Sequence, residues 1–207
     1  MKKLFAVAIL STASMSAMAT DQGGYLTANV GSTIYSNAVS QIIPSVSFRN
    51  PYTIGIGGGY HLNPYLSLEG GYSRMNESTI TTTYITFPRT ATERLKASSL
   101  RIAIVGSLPI GEKFELLGFL GAANTQIDYT ASLTGTGFSA DVAQSASARK
   151  TNLMYGLGAQ FNFNKRISLR SQYLDLGKVQ LPGNFSGGVA APNIGVKIVT
   201  MGAVFNF

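Results

Sequence analysis

The 207-residue chain has no cysteine and no tryptophan, a single histidine, and only 12 % charged residues. Without cysteine, disulfides cannot staple the fold, and thiolate metal sites and cysteine nucleophiles are excluded. One histidine leaves little scope for a metal cluster or for histidine-based hydrolytic chemistry, so neither a metal nor a cofactor is expected. The longest purely apolar run, LFAVAIL (4–10), is far shorter than the ~20 residues of a membrane-spanning helix. Formal net charge is +7. The Lys and Arg residues nevertheless form no basic run, so a nucleic-acid partner is not expected.

The short apolar run has a different meaning. Lys2 and Lys3 precede it, small residues follow it, and Ala17-Met18-Ala19 forms an A-x-A cleavage site. This order of regions is that of a secretory signal peptide. Residues 1–19 are therefore expected to be removed after Ala19, leaving one domain over 20–207. Loss of Lys2 and Lys3 lowers the net charge from +7 to +5.

What the chain has instead is glycine, 23 residues of it, and a recurring alternation. Eight segments place apolar residues at every second position: 24–31, 52–60, 66–72, 99–108, 114–122, 152–163, 167–173 and 194–207. Period two is the signature of a strand with two unlike faces. In FELLGFLGA, Leu117 and Phe119 interrupt the otherwise polar face. The connections HLNPY, PIGEK and NKR are short turns, whereas 33–51, 74–96, 128–150 and 177–193 are long and polar. Within the long ones, threonine-rich stretches can extend strands as protruding hairpins. GIGGGY is followed by no helix and is not a phosphate loop.

Alternating short and long connections predict an all-β fold, an eight-stranded antiparallel up-and-down transmembrane β-barrel. The second face is rich in Gly, Ser, Thr, Asn and Gln, which suits a narrow interior of small side chains and water. The apolar face carries Tyr52, Tyr60, Tyr65, Tyr155, Phe163, Tyr173 and Phe207 toward its ends, as membrane girdles do, while Tyr25 falls on the inward parity. A sheet in hydrocarbon must close, because unpaired edge groups cannot reach water there.

The last eight residues, TMGAVFNF, resemble the carboxy-terminal assembly signal of bacterial outer-membrane barrels, with Thr200, Gly202, Phe205 and Phe207 in its places. Together with the leader and eight strands, the chain resembles the small OmpA/OmpX and opacity-protein group. That resemblance implies a terminal strand captured by the barrel-assembly machinery through edge pairing. It further implies residence in the outer membrane of a Gram-negative bacterium, periplasmic termini and extracellular long loops. The peptidoglycan-binding domain of larger members is expected to be absent.

Parity then sorts the charges. Glu69, Arg101, Glu115 and Arg170 point inward, where unpaired charge is costly, so they are expected to pair as a structural plug. If those pairs break, the interior becomes a gated narrow pore. Arg74, Arg94, Lys96, Arg149 and Lys197 point outward near the long-loop rim, with Asp175 as the acid there. This belt matches the phosphates of lipopolysaccharide. His61 lies in a turn with Ser67 nearby and no paired Asp, so no catalytic residues are assigned. The expectation is a non-enzymatic, membrane-structural barrel whose loops are available for adhesion or contact with a host-surface ligand. The alternative is a small low-conductance, porin-like channel.

Overall fold

The computed structural model describes residues 23–36, 51–84, 89–135, 142–180 and 193–207. Eight strands follow one another: β1 (Gly24–Ser36), β2 (Tyr52–Asn63), β3 (Leu66–Tyr84), β4 (Arg89–Ile110), β5 (Phe114–Gly135), β6 (Val142–Asn162), β7 (Ile167–Gln180) and β8 (Asn193–Asn206). Each pairs antiparallel with its neighbours in sequence, and β8 closes onto β1. Closure leaves no strand edge within the barrel wall.

The register shows how the cylinder is sheared. From Gly24 the partners run Tyr60, Leu68, Ile104, Leu120, Tyr155, Asp175 and Lys197, and return to Ile34. The path arrives ten residues farther along β1 than it began. A stagger of this kind tilts the strands by roughly 35–45° to the barrel axis.

The faces invert the arrangement of a water-soluble protein. Leu26, Val30, Ile54, Ile56, Leu100, Ile102, Leu120, Leu157, Leu169 and Met201 point outward and are between 38 % and 72 % exposed. In water so continuous an apolar belt would be an aggregation surface, whereas in a bilayer it meets hydrocarbon. Aromatics bound the belt. Tyr60, Tyr65, Phe114, Phe161, Phe163, Phe205 and Phe207 are exposed toward the short turns, and Tyr52, Tyr72, Tyr155 and Tyr173 toward the opposite end. Tyr25 belongs to neither girdle. It is buried inside the barrel.

Two expectations about the long connections are revised. The segments 74–96 and 128–150 are mostly strand: β3 to β6 run 19, 22, 22 and 21 residues. The other four strands have 12 to 14. About ten tilted residues suffice to cross the hydrocarbon, so β3–β6 stand as a tall wall on one side. Their outer portions are rich in threonine and serine, and continuous ladder pairing with favourable β-branched residues holds them extended. The alternation fades there because the strand has left the lipid.

Close packing inside explains the glycine run of β2. A Cβ on Gly59 would collide with the phenol of Tyr25. Gly59→Ala should therefore cost about 1–3 kcal/mol by overpacking. Urea unfolding of the refolded barrel, followed by its heat-modifiable gel shift, reads this as a lower midpoint.

Candidate functional site

Three strands bring the interior charges together. Glu69 of β3 receives Arg170 of β7, whose Nη1 donates to Oε2 at 2.5 Å, and the Tyr25 hydroxyl donates to the same oxygen at 3.0 Å. Arg101 of β4 approaches Glu69 Oε1 at 3.6 Å and donates through Nη1 to Ser73 Oγ at 2.8 Å. Arg170 Nε donates to Gln160 Oε1 at 3.0 Å, and its guanidinium lies 5.3 Å from the Tyr25 ring centre. Gly71 admits the Arg101 guanidinium, which occupies the space a Cβ would need. Glu69, Arg101 and Arg170 are 2–4 % exposed. One acid thus serves two bases.

Glu115 does not join them. It points inward near the short turns, where Ser107 Oγ donates at 2.9 Å and Asn162 Nδ2 at 2.6 Å. The expected two-by-two pairing is replaced by a buried triad and a carboxylate held separately by neutral donors. Strand parity cannot foresee this, because it orders residues by face and leaves cross-barrel distances undetermined.

The composition of the interior also departs from expectation. Small polar side chains such as Thr33, Thr53, Ser99 and Thr125 are buried inside the barrel, but they do not fill it. Nearer the end away from the short turns, Met75, Leu95, Ala97, Ile127, Met154, Leu174, Leu176, Val179, Ile194, Val196 and Ile198 form a buried apolar cluster. Leu117 and Phe119, which interrupt the polar face of β5, point inward and pack in the same cluster. The lumen therefore holds a block of hydrocarbon beside the small polar groups that line it.

The outward bases stand near or beyond the second girdle. Arg74 lies two residues past Tyr72 on the same face of β3 and is exposed. Lys197 Nζ is 3.8 Å from Asp175 Oδ2, which also accepts from the Tyr155 hydroxyl at 3.3 Å. Arg94 and Lys96 share Glu77, at 3.6 and 2.9 Å. Lys96 donates to the Glu77 carboxylate and holds it below the usual carboxylate range. Arg149 Nη2 donates to Gln126 Oε1 at 2.5 Å, and Gln126 in turn donates to Asp128 Oδ1 at 3.2 Å.

Asp175 is therefore not the lone acid of this rim. Asp128 is exposed on the outward parity of β5 and could have been found by extending the alternation. Glu77 could not. A bulge between Met75 and Ser78 resets β3 and turns Glu77 toward Arg94 and Lys96. Among the described side chains this end carries seven bases, with Lys150 and Lys178 completing the set, against three acids.

At the opposite end, Ser67 Oγ and His61 Nδ1 lie 2.7 Å apart as ladder partners, and the Tyr25 ring centre sits 4.7 Å from that of His61. Ser67 is buried, so the pair closes the β2–β3 ladder rather than presenting a nucleophile. Among the described residues no group of three or more metal-ligating side chains converges. Phe205 of β8 and Phe207 just beyond it are exposed, and Thr200 is buried on the inward face. Gly202 passes so close to Ala28 and Asn29 of β1 that a Cβ would clash. Ala17 and Ala19 lie outside the described residues.

The family of outer membrane protein beta-barrel domains matches residues 5–207. A search of curated proteins finds no match. Among solved structures, Ail, the attachment invasion locus protein of Yersinia pestis, in complex with the heparin analogue sucrose octasulfate, superposes with a TM-score of 0.53 at 16 % identity. The alignment spans 91 % of this chain and all of Ail. OprG from Pseudomonas aeruginosa gives 0.53 at 14 % identity, over 89 % and 96 % of the two chains. Neisserial surface protein A gives 0.52 at 16 %, over 89 % and 97 %. At such identities the likeness is one of fold, which agrees with the closed eight-stranded topology. The chain belongs to the outer membrane protein β-barrel family of bacteria.

Proposed function

We propose that the protein is a non-enzymatic surface barrel of the outer membrane that holds phosphorylated glycolipid against its wall and offers its long-strand end for adhesion or host contact. The observation that carries this reading is the distribution of charge. Among the described side chains, seven bases stand with three acids at one end, on or beyond the aromatic girdle. In the orientation the family resemblance implies, with termini and short turns periplasmic, this end meets the outer leaflet. Guanidinium and ammonium groups there form charge-assisted hydrogen bonds to phosphate. The heparin analogue bound to Ail, a protein of the same fold, is consistent with polyanion recognition on such a surface. The exposed aromatics at the end of β8, Phe205 and the following Phe207, suit capture by the assembly machinery through strand pairing.

Replacing Arg74, Arg94, Lys96, Arg149 and Lys197 together by glutamine should weaken lipopolysaccharide binding by the refolded protein. Isothermal titration in detergent micelles measures it, and unchanged affinity would sink the belt. Four of these bases already have protein partners, so Arg74, which has none among the described residues, should account for the largest single loss. The porin-like alternative requires a path through the apolar cluster.

A further inference from the structure

Past the second girdle, β6 and β7 part company. Their ladder ends at Tyr155 and Asp175. β6 nevertheless continues beside β5 as far as Val142, and β7 beside β8 as far as Gln180. The separation is built in. Asp175 Oδ1 accepts the N–H of Gly177 at 2.9 Å, and Gly177 takes a φ of +83°, which glycine adopts without strain. The side chain of Asn152 then fills the place of the next ladder pair, packing on Gly177 and donating to the carbonyl of Lys178 at 3.1 Å. The two strands are held a side chain apart, and every second N–H of β6 faces the gap.

Two lysines flank this notch. Lys178 is exposed at the bulge. Lys150 stands on the inward parity of β6, two residues beyond Asn152, yet is exposed because no strand covers it. It therefore overhangs the barrel mouth, on the face opposite Arg149. Neither lysine has an ion-pair partner among the described residues. The nearby carboxylates are engaged: Asp175 with Lys197, Glu77 with Lys96, Asp128 with Gln126.

We propose that the β6–β7 notch binds a phosphate or sulfate ester carried on a sugar, with Lys150 and Lys178 as its cationic ligands and Asn152 setting their spacing. Two mobile ammonium groups and strand N–H donors converging from different directions suit a tetrahedral oxyanion. A planar carboxylate is matched better by one guanidinium fork. The site lies on the mouth side of the wall and is independent of the lateral belt, so either can fail without the other.

The test uses the mature chain refolded in phosphatidylcholine nanodiscs, with sucrose octasulfate as probe and titration calorimetry as readout. The wild type should bind in a salt-dependent manner. K150Q/K178Q should weaken binding by at least about tenfold, the loss of one or two hydrogen bonds to a charged group. R74Q/R94Q, which alters only the lateral belt, should leave it within about twofold. Discs containing core-bearing lipopolysaccharide identify the source. Competition there, but not in discs with lipid A alone, assigns the notch to the membrane's own core phosphates; persistent binding assigns it to a soluble glycan. No octasulfate binding by the wild type, undiminished binding by a folded K150Q/K178Q, or equal competition by polyglutamate would overturn the proposal.

Discussion

Glu69→Gln is expected to remove about 3–5 kcal/mol of stability, because it strips the counter-ion from two buried guanidinium groups while keeping the side-chain volume. Among the described residues neither Arg101 nor Arg170 has a second carboxylate in contact, and both are almost fully buried, so solvent cannot screen the loss. The hydroxyl of Tyr25 would also exchange an ionic acceptor for a neutral one. The urea midpoint of the folded band on a semi-native gel measures the effect. The triple replacement Glu69→Gln with Arg101→Met and Arg170→Met should return most of the loss, since it removes the orphaned charges rather than exposing them. A small effect of Glu69→Gln alone would mean that water reaches the triad freely.

The second large effect concerns the apolar storey. Met154 and Leu174 are 0 % exposed within the cluster that corks the lumen. Met154→Ala and Leu174→Ala should each cost about 2–5 kcal/mol, the transfer loss plus the cavity left in a wall that cannot collapse. The same residues determine conduction. In planar bilayers the wild type should be electrically silent, and the triple variant lacking the ionic triad should remain silent, because the apolar cluster still blocks the path. Openings should appear only when Met154 and Leu174 are replaced by serine. Steady wild-type openings that change on Glu69→Gln would instead favour the pore reading and make the triad its gate.

Both predictions depend on distances that strand alternation does not encode. The inward placement of Glu69, Arg101, Glu115 and Arg170 follows from counting residues in twos. Which of them meet depends on the ten-residue stagger, because it sets the relative height of side chains projecting from distant strands. The stagger brings Glu69 between Arg101 and Arg170 and leaves Glu115 near the short turns with Ser107 and Asn162. Likewise, Arg94 and Lys96 can be placed on the outer face from their parity, while their partner Glu77 depends on a bulge that no local pattern marks.

Along the chain, then, period-two alternation with aromatics at the segment ends is enough to specify eight strands, their unlike faces and a closed barrel. The physical reason is that lipid imposes the same rule on every strand independently: an apolar side chain at each outward position, and no unpaired backbone edge. The interior obeys no such repeated rule. Its side chains answer to one another across the cylinder, so the buried triad, the apolar cork and the notch between β6 and β7 exist only once register, stagger and bulges have brought distant residues together.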